Sequence, residues 1–317
     1  MTGPTHHPAG KPLRGRSAPQ IPVAAQVPVA PVAACAAVGT LGPGSAGASV
    51  LAVALAAHVG GFLIEADADG GVAGARYGGW LHEGAPSLAS LLVALDTPPG
   101  PGAGAVQEHF QRLPSGVRAA LLAPGAEHAL GSVRRLSEDL TALRAALPGR
   151  ALVVDVGRVR PDSPAMALVQ QADVLVAVVR PQVDSLGCLL ARLPVLARMV
   201  ARVVVAVRGV GPYPLPEIRT SVQMACPTAV SVVAVVDDPR GVALLGDPSK
   251  PGRVPGRGGR MSALMRSAAD LAAVLSAVAP VRRPPPPPPA AAGAGALVMP
   301  VRVTASDPDH IPRRAAR

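Results

Sequence analysis

A glycine-rich stretch near the start of the chain has the residue types of a phosphate-binding loop. Residues 41–49 read LGPGSAGAS and lie between an apolar run and a helix-like run. In the consensus G-x-x-x-x-G-K-[ST], the glycines fall on Gly42 and Gly47 and the hydroxyl on Ser49, but Ala48 stands at the lysine position. Such glycines let backbone amides point at an anion, and the helix that follows adds its positive dipole end. Without the lysine, the stretch fits an ordinary glycine turn equally well.

Acidic residues follow two apolar runs farther along the chain. Residues 62–71 read FLIEADADGG, and residues 152–157 read LVVDVG. An aspartate at the end of a buried strand is the usual partner of a phosphate-binding loop, because it helps to hold Mg²⁺. Asp155 is therefore the acid that could act together with the hydroxyl of Ser49.

The elements that must position these residues alternate between strand and helix. The strand candidates are 32–38, 62–67, 119–124, 151–157, 173–181, 202–209 and 229–236. The helix candidates are 49–58, 85–95, 127–147, 163–171, 184–200 and 261–279. The strand candidates are continuously apolar, which is typical of strands covered on both faces. Repeated βα units predict an α/β fold with a doubly wound, mostly parallel sheet, in which ligands bind beyond the carboxyl ends of the strands.

Taken in order, these segments resemble the MinD/ParA family of deviant P-loop ATPases. The family typically shows KGGxGKT and then VDxDxxG, followed by a strand that ends in an acid. The segments ADVLVAVVRP at 172–181 and VDDPRGVALLGDP at 236–248 match two later family motifs. The resemblance covers about residues 32–279 and implies a P-loop NTPase fold.

The resemblance also implies a role for particular residues. Mg²⁺ would be held by Ser49 and, through water, by Asp155, while Asp67 would orient the attacking water. The catalytic candidates are therefore Asp67 and Asp155, and Glu65 matches the first acid of VDxD. The candidate nucleotide-binding residues, which imply ATP with Mg²⁺ as cofactor, are Gly42, Gly44, Ser45, Gly47, Ala48 and Ser49.

The chain departs from the family at both lysines of the loop. The family's signature lysine falls on Pro43 and the ordinary loop lysine on Ala48. A lysine–phosphate bond contributes ~1.5–3 kcal/mol to binding, and losing one such stabiliser of transition-state charge typically lowers a rate ~10²–10³-fold. We therefore expect weak nucleotide binding and impaired or absent hydrolysis. Arg76, Arg158 and Arg160 are candidates for a substitute cation, and a solvated face is the alternative for each.

Charge and proline content divide the chain into three parts. The formal net charge is +10, and it comes mainly from the two ends and from the stretch 249–260. Residues 1–30 are predicted to be a disordered basic, Pro-rich tail, and 31–280 the P-loop domain. Residues 281–317, which include PPPPPP, are predicted to be a second disordered tail that acts as a spacer or docks a proline-binding partner.

Other features narrow the class of protein. The three cysteines are scattered, so neither a disulfide framework nor a zinc site is expected. There is no apolar run of transmembrane length, and prolines interrupt any basic amphipathic helix at the C-terminal end, so membrane association is not expected. A cytoplasmic location fits these features.

Two functions follow from the resemblance. One is a positioning or partitioning protein, for chromosomes, plasmids, the division site or a secretion apparatus, which dimerises or binds a partner protein in response to nucleotide. The other is a pseudo-ATPase scaffold that acts through partners and its basic, Pro-rich tails without nucleotide. Nonspecific contact of the basic segments with duplex DNA is compatible with both functions.

Overall fold

An eight-stranded sheet runs through the described part of the chain. The computed structural model describes residues 35–77, 84–96, 102–227, 230–245 and 261–277. The strands are β1 (Cys35–Thr40), β2 (Phe62–Glu65), β3 (Gln111–Arg112), β4 (Arg118–Ala120), β5 (Leu152–Arg158), β6 (Val174–Val179), β7 (Val203–Arg208) and β8 (Val230–Val235). Their order in the sheet is β3-β4-β2-β5-β1-β6-β7-β8, and every neighbouring pair is parallel except β3 with β4.

Helices connect the strands and cover both faces of the sheet. They are α1 (Ala48–Val59), α2 (Ala73–Tyr77), α3 (Leu88–Leu95), α4 (Ala103–Gln107), α5 (Ala126–Ala146), α6 (Ala165–Gln171), α7 (Val183–Met199), α8 (Leu215–Ala225), α9 (Pro239–Leu245) and α10 (Ala263–Ser276). One face packs against α3, α5, α6, α7 and α8, and the other against α1 and α10. The predicted doubly wound, mostly parallel α/β sheet is thus confirmed.

Local chemistry explains where several helices begin and end. The Ser87 hydroxyl accepts a hydrogen bond from the Ser90 amide and the Ser90 hydroxyl accepts one from the Ser87 amide, which is a capping box at the start of α3. At the start of α10, the Ser262 hydroxyl accepts from the Met265 amide. At the end of α1, Gly60 adopts φ +63°, a left-handed conformation that glycine tolerates without strain.

All seven predicted strands are present, and the differences lie in the bounds and in short elements. The start of the first predicted strand, 32–34, and the predicted tails at 1–30 and 281–317 lie outside the described residues. β3, α2 and α4 have two to five residues, which is too short to give a hydropathy period. α8 was not predicted, because its sequence contains prolines at 214 and 216. Both lie at the start of the helix, where a missing amide is tolerated.

The sheet topology places the predicted functional residues at one edge of the sheet. β1, β2 and β5 are parallel neighbours, so the segments that follow them all leave the sheet at its carboxyl edge. The pairing of β1 with β5 skips Val156, directly after Asp155. This bulge changes the register of β1 against β5 near the carboxyl ends of both strands, next to the loop that leads into α1.

Candidate functional site

The glycine-rich loop connects β1 directly to α1. Gly44 has φ +75° and Gly47 has φ +87°, both in the left-handed region where a side chain is strained. A Cβ at Gly42 would lie 3.2 Å from the Cα of Ser185, so the loop also passes close to the first turn of α7. A cavity of about 300 Å³ separates loop residues 43–46 from Arg180, Gln182, Asp184 and Ser185.

Loop amides are available at this site. Within the described residues, the amides of residues 44–50 donate to no backbone or side-chain acceptor, although Leu51 closes the first turn of α1 by donating to the Gly47 carbonyl at 3.1 Å. Free amides at a helix start attract negative charge. The loop therefore keeps the backbone donors of a phosphate-binding loop. It lacks the cationic side chain, because the residue at the lysine position, Ala48, is buried and apolar.

Ser49 and Asp155 come together behind the loop. The Ser49 hydroxyl lies near the Asp155 carboxylate, and the Gly157 amide donates to Asp155 Oδ1 at 3.2 Å. Burial raises the pKa of Asp155 to about 7, the nearby Ser49 hydroxyl opposes that rise, and the negative charge of Glu65 adds to it. A buried carboxylate of raised pKa is one that a bound cation would favour in its ionised form.

Asp67 lies beside Gly157, near the carboxyl end of β5. Its Oδ1 accepts from the Asp69 amide at 2.9 Å, and burial raises its pKa. A Cβ at Gly157 would lie 1.9 Å from the Asp67 carboxyl carbon, and Gly157 has φ +56°. Only glycine can therefore hold position 157 without displacing the Asp67 carboxylate. The structure places Asp67, Asp155 and Ser49 at one corner of the sheet.

The Glu65 carboxylate accepts hydrogen bonds from three backbone amides and so connects neighbouring elements. Its Oε1 accepts from the amides of Val72 and Ala73, both at 2.6 Å, and its Oε2 accepts from the Leu122 amide at 3.0 Å. Burial raises the pKa of Glu65, and these three bonds oppose the rise. The carboxylate thus ties β2 to the start of α2 and to the end of β4, which leaves its oxygens occupied by protein donors.

Arg208, which the sequence analysis did not single out, contacts the loop from β7. Its side chain is buried, its Nη2 donates to Asp237 Oδ1 at 2.7 Å, and its Nη1 lies 3.4 Å from the Ala46 carbonyl oxygen. A Cβ at Gly47 would lie 1.5 Å from Arg208 Nη1. Asp237 also accepts from Arg180 Nη1 at 3.3 Å. We call Arg208, Asp237 and Arg180 the arginine strut.

The arginines named from the sequence have other surroundings. Arg160 pairs with Asp69 at 3.2 Å and with Asp162 at 3.8 Å. Burial raises the pKa of Asp67, and the charge of Arg158 partly opposes this rise. Arg76 is exposed on α2. Among the described residues, the arginine that contacts the loop is thus Arg208, from β7. A signal for it existed in the sequence, because an arginine that ends a fully apolar strand must emerge at the same carboxyl edge as the loop.

The described residues contain neither a metal-binding cluster of protein ligands nor a helix that could span a membrane. None of the described His, Cys, Asp and Glu side chains form a group of three or more that could hold a metal ion. Across the described ranges, no helix has the length and the apolar character needed to cross a membrane. Mg²⁺ sites at phosphates use one or two carboxylates and complete their shell with water, so the first finding concerns metals held by protein ligands alone.

Comparison with solved structures identifies the fold. A ParA family ATPase from Chlorobium tepidum TLS superimposes with a TM-score of 0.57 at 16% identity, over 76% of this chain and 98% of that one. The ATP complex of a variant of McdA from Cyanothece superimposes with a TM-score of 0.50 at 11% identity, over 78% of this chain and 98% of that one. No protein-family model and no curated protein matches the sequence. The chain therefore has the ParA-like P-loop fold.

Proposed function

We propose that this chain is a ParA-like positioning or partitioning protein whose nucleotide site is degenerate. It binds ATP with Mg²⁺ weakly and hydrolyses it slowly or not at all. The shared fold with a ParA family ATPase and with McdA supports the general class. The observation that carries the proposal is the position of the Ser49 hydroxyl near the buried Asp155 carboxylate, beside a lysine-free glycine loop.

The oxygen atoms at this corner suit Mg²⁺ bound to a phosphate. Mg²⁺ prefers oxygen ligands and keeps several waters, and one hydroxyl with one carboxylate is a sufficient protein contribution when phosphates supply the rest. Ser49 and Asp155 would hold the ion, and Glu65 would not, because its oxygens already accept three amide hydrogen bonds. When bound, the ion would neutralise phosphate charge.

The loop would bind the phosphates through its backbone. The amides of Gly44, Ser45 and Gly47 are free donors, and α1 adds its dipole. Ala48 contributes no charge, so the transition state would lack the cation that normally answers developing negative charge. Asp67 would orient a water, but orientation alone would not replace that cation. Binding without efficient turnover follows from this combination.

The scaffold alternative has its own support in the arginine strut. Arg208 fills the space beside Gly47 and is paired with Asp237, so the loop is held in place by protein contacts alone. A loop that needs no ligand to keep its shape suits a protein that works through a homodimer or a partner protein. Contact with duplex DNA through basic segments is a further proposal under either function.

Calorimetry with Mg-ATP on the full chain separates the two functions. We expect the native protein to bind in the high-micromolar range, and Ala48→Lys to bind about tenfold more tightly or better, because a charge-assisted bond is restored. Ala142→Lys, at an exposed position of α5, is the matched control and should leave affinity unchanged. Binding only in Ala48→Lys would favour the scaffold, and binding in no variant would contradict the nucleotide part of the proposal.

Positioning is tested in cells of the native organism. A fluorescent fusion of the full chain should form foci or a gradient at a defined place. We expect Asp155→Asn to disperse this pattern if nucleotide and Mg²⁺ control it, and to leave it unchanged if the chain is a scaffold. A uniform distribution of the native fusion would contradict a positioning role altogether.

A further inference from the structure

Three arginines converge on a cavity at the amino edge of the sheet, opposite to the glycine loop. The cavity has a volume of about 390 Å³ and is lined by Arg112, Arg118, Arg150 and Ser115, with Gly60, Gly61 and their neighbours as its floor. These residues belong to the β3–β4 hairpin, to the segment before β5 and to the end of α1. We call this space the arginine cavity.

The arginine cavity concentrates positive charge without an acidic partner. No acidic residue lines it, and among the described residues these three arginines form no ion pair. Arginine stays protonated in proteins, so three positive charges face one space. The carbonyl end of α1 offsets only about half a charge. The cavity therefore keeps a strong positive potential at neutral pH.

The strand register makes this arrangement unfavourable in the free protein. Arg112 and Arg118 are direct cross-strand partners in the antiparallel β3–β4 pair, so their side chains leave the same face. Like charges directly opposite one another destabilise a sheet. Arg118 is further held in place, because its Nη1 donates to Gln107 Oε1 at 2.5 Å and its guanidinium lies 5.9 Å from the Phe62 ring centroid.

A tight turn forms one wall of the arginine cavity. Ser115 and Gly116 belong to this turn, in which the Gly116 amide donates to the Leu113 carbonyl at 2.8 Å. Ser115 is 5% exposed, and its Oγ is shielded from solvent and makes no hydrogen bond within the described residues. The turn therefore shapes the cavity, and the arginines supply the donors.

Two adjacent glycines at the floor of the arginine cavity have different roles. A Cβ at Gly61 would lie 2.7 Å from the Ala151 carbonyl oxygen, so Gly61 allows the backbone to approach that residue closely. Gly60 ends α1 in the left-handed conformation, and nothing lies within 4 Å of a Cβ built on it. The space beside Gly60 is therefore open.

We propose that the arginine cavity is a binding site for a small, multiply charged phosphate anion such as pyrophosphate or a phosphate monoester. Guanidinium groups bind phosphate oxygens through paired N–H donors, and three of them call for more than one negative charge. The site is separate from the glycine loop, because α1 has twelve residues and holds the two at its opposite ends, ~18 Å apart.

Amide NMR on the full chain, titrated with pyrophosphate, tests this inference and reports each site separately. We expect the amide signals of Gly60, Gly61 and Gly116 to shift with a submillimolar dissociation constant. Signals of Gly44 and Gly47 report the glycine loop, so a failure of the nucleotide proposal would not be confused with a failure here. Absence of any shift at Gly60, Gly61 and Gly116 would overturn the inference.

Variants separate a binding role from a structural one. Arg112→Gln and Arg150→Gln should each weaken pyrophosphate binding about tenfold and raise the melting temperature of the free protein, because a repelling charge is removed. Arg134→Gln, on the exposed face of α5, is the control and should change neither. Unchanged binding in both cavity variants would contradict the proposal.

The same NMR titration with duplex DNA distinguishes a small anion from a nucleic-acid backbone. At equal phosphate concentration, we expect pyrophosphate to shift the three glycine signals and duplex DNA to leave them in place, because a half-enclosed cavity does not admit a double helix. Shifts caused by DNA alone would overturn the small-anion proposal in favour of a surface contact with a nucleic-acid backbone.

Discussion

Asp155 shows at the scale of a single residue how burial sets the chemistry of this site. Its carboxylate is 1% exposed and lies among two other acids, Glu65 and Asp67. Burial raises its pKa to about 7, against an ordinary value near 4 for an aspartate in an unfolded chain. Between these two values the folded protein binds a proton that the unfolded chain has released.

This difference makes stability depend on pH. Because the native state binds more protons, the free energy of unfolding falls as pH rises from about 4 to about 7. Asp155→Asn removes the titrating group while keeping an oxygen that can accept from Ser49. We expect the variant to be ~1–4 kcal/mol more stable than the native protein at pH 8 and nearly equal to it at pH 4, as measured by urea unfolding.

An exposed carboxylate provides the comparison for this prediction. Asp162 has a side chain that is 84% exposed, so Asp162→Asn should leave the pH profile of stability unchanged. Parallel profiles for Asp155→Asn and the native protein would mean that burial of Asp155 does not control its protonation.

At the scale of the element, the loop between β1 and α1 depends on two glycines for different reasons. Both Gly44 and Gly47 have positive φ, so alanine at either position is strained. Nothing lies within 4 Å of a Cβ at Gly44, whereas a Cβ at Gly47 would meet the Arg208 guanidinium. The two positions therefore form a matched pair that differs only in steric contact.

Chemical denaturation of the two alanine variants tests the arginine strut. Gly44→Ala should lower the free energy of unfolding by ~1 kcal/mol from strain alone, and Gly47→Ala by ~2–3 kcal/mol, because Arg208 must also move. Adding Arg208→Met should remove the extra loss at Gly47 but not change the loss at Gly44. Additive effects in the double variant of Gly47 and Arg208 would show that the two positions do not interact.

At the scale of the whole molecule, α10 completes the layer that covers one face of the sheet. The helix before it, α9, ends at Leu245, and α10 begins only at Ala263, yet α10 packs against α1 and β8. The residues predicted to share its inward face are all buried to 1% exposure or less, namely Leu264, Ala268, Leu271 and Leu275. The helix that carries Ser49 is therefore held from outside by a segment from the far end of the fold.

Leu271→Ala should destabilise the whole domain. We expect a loss of ~2–5 kcal/mol in the free energy of unfolding, since a fully buried leucine leaves a cavity between α10 and the sheet. Asp270→Ala, at the exposed neighbouring position, should change stability by less than ~0.5 kcal/mol. Equal effects of the two substitutions would mean that α10 is not part of the cooperative core.

The sequence was informative about the sheet because each strand is covered on both faces. Such strands must be continuously apolar, and the runs around Val154, Val176 and Val205 were long enough to be recognised. The short elements were missed, because two to five residues carry no period. Acids and hydroxyls at strand and helix ends were proposed from motif order, and the structure brings Asp67, Asp155 and Ser49 to the same corner of the sheet.

Contacts between residues far apart in sequence could not be predicted in this way. Arg208 and Ala46 are 162 positions apart, and only the β1-β6-β7 strand order brings the guanidinium to the loop. The arginine cavity likewise depends on a hairpin of two short strands and on the end of α1. By itself, then, the sequence determined the βα alternation, the glycine loop without lysine and the acids near it, because these follow from local composition. The tertiary structure alone decided which cations face which acids and anions, because charge pairing depends on distances that strand order sets.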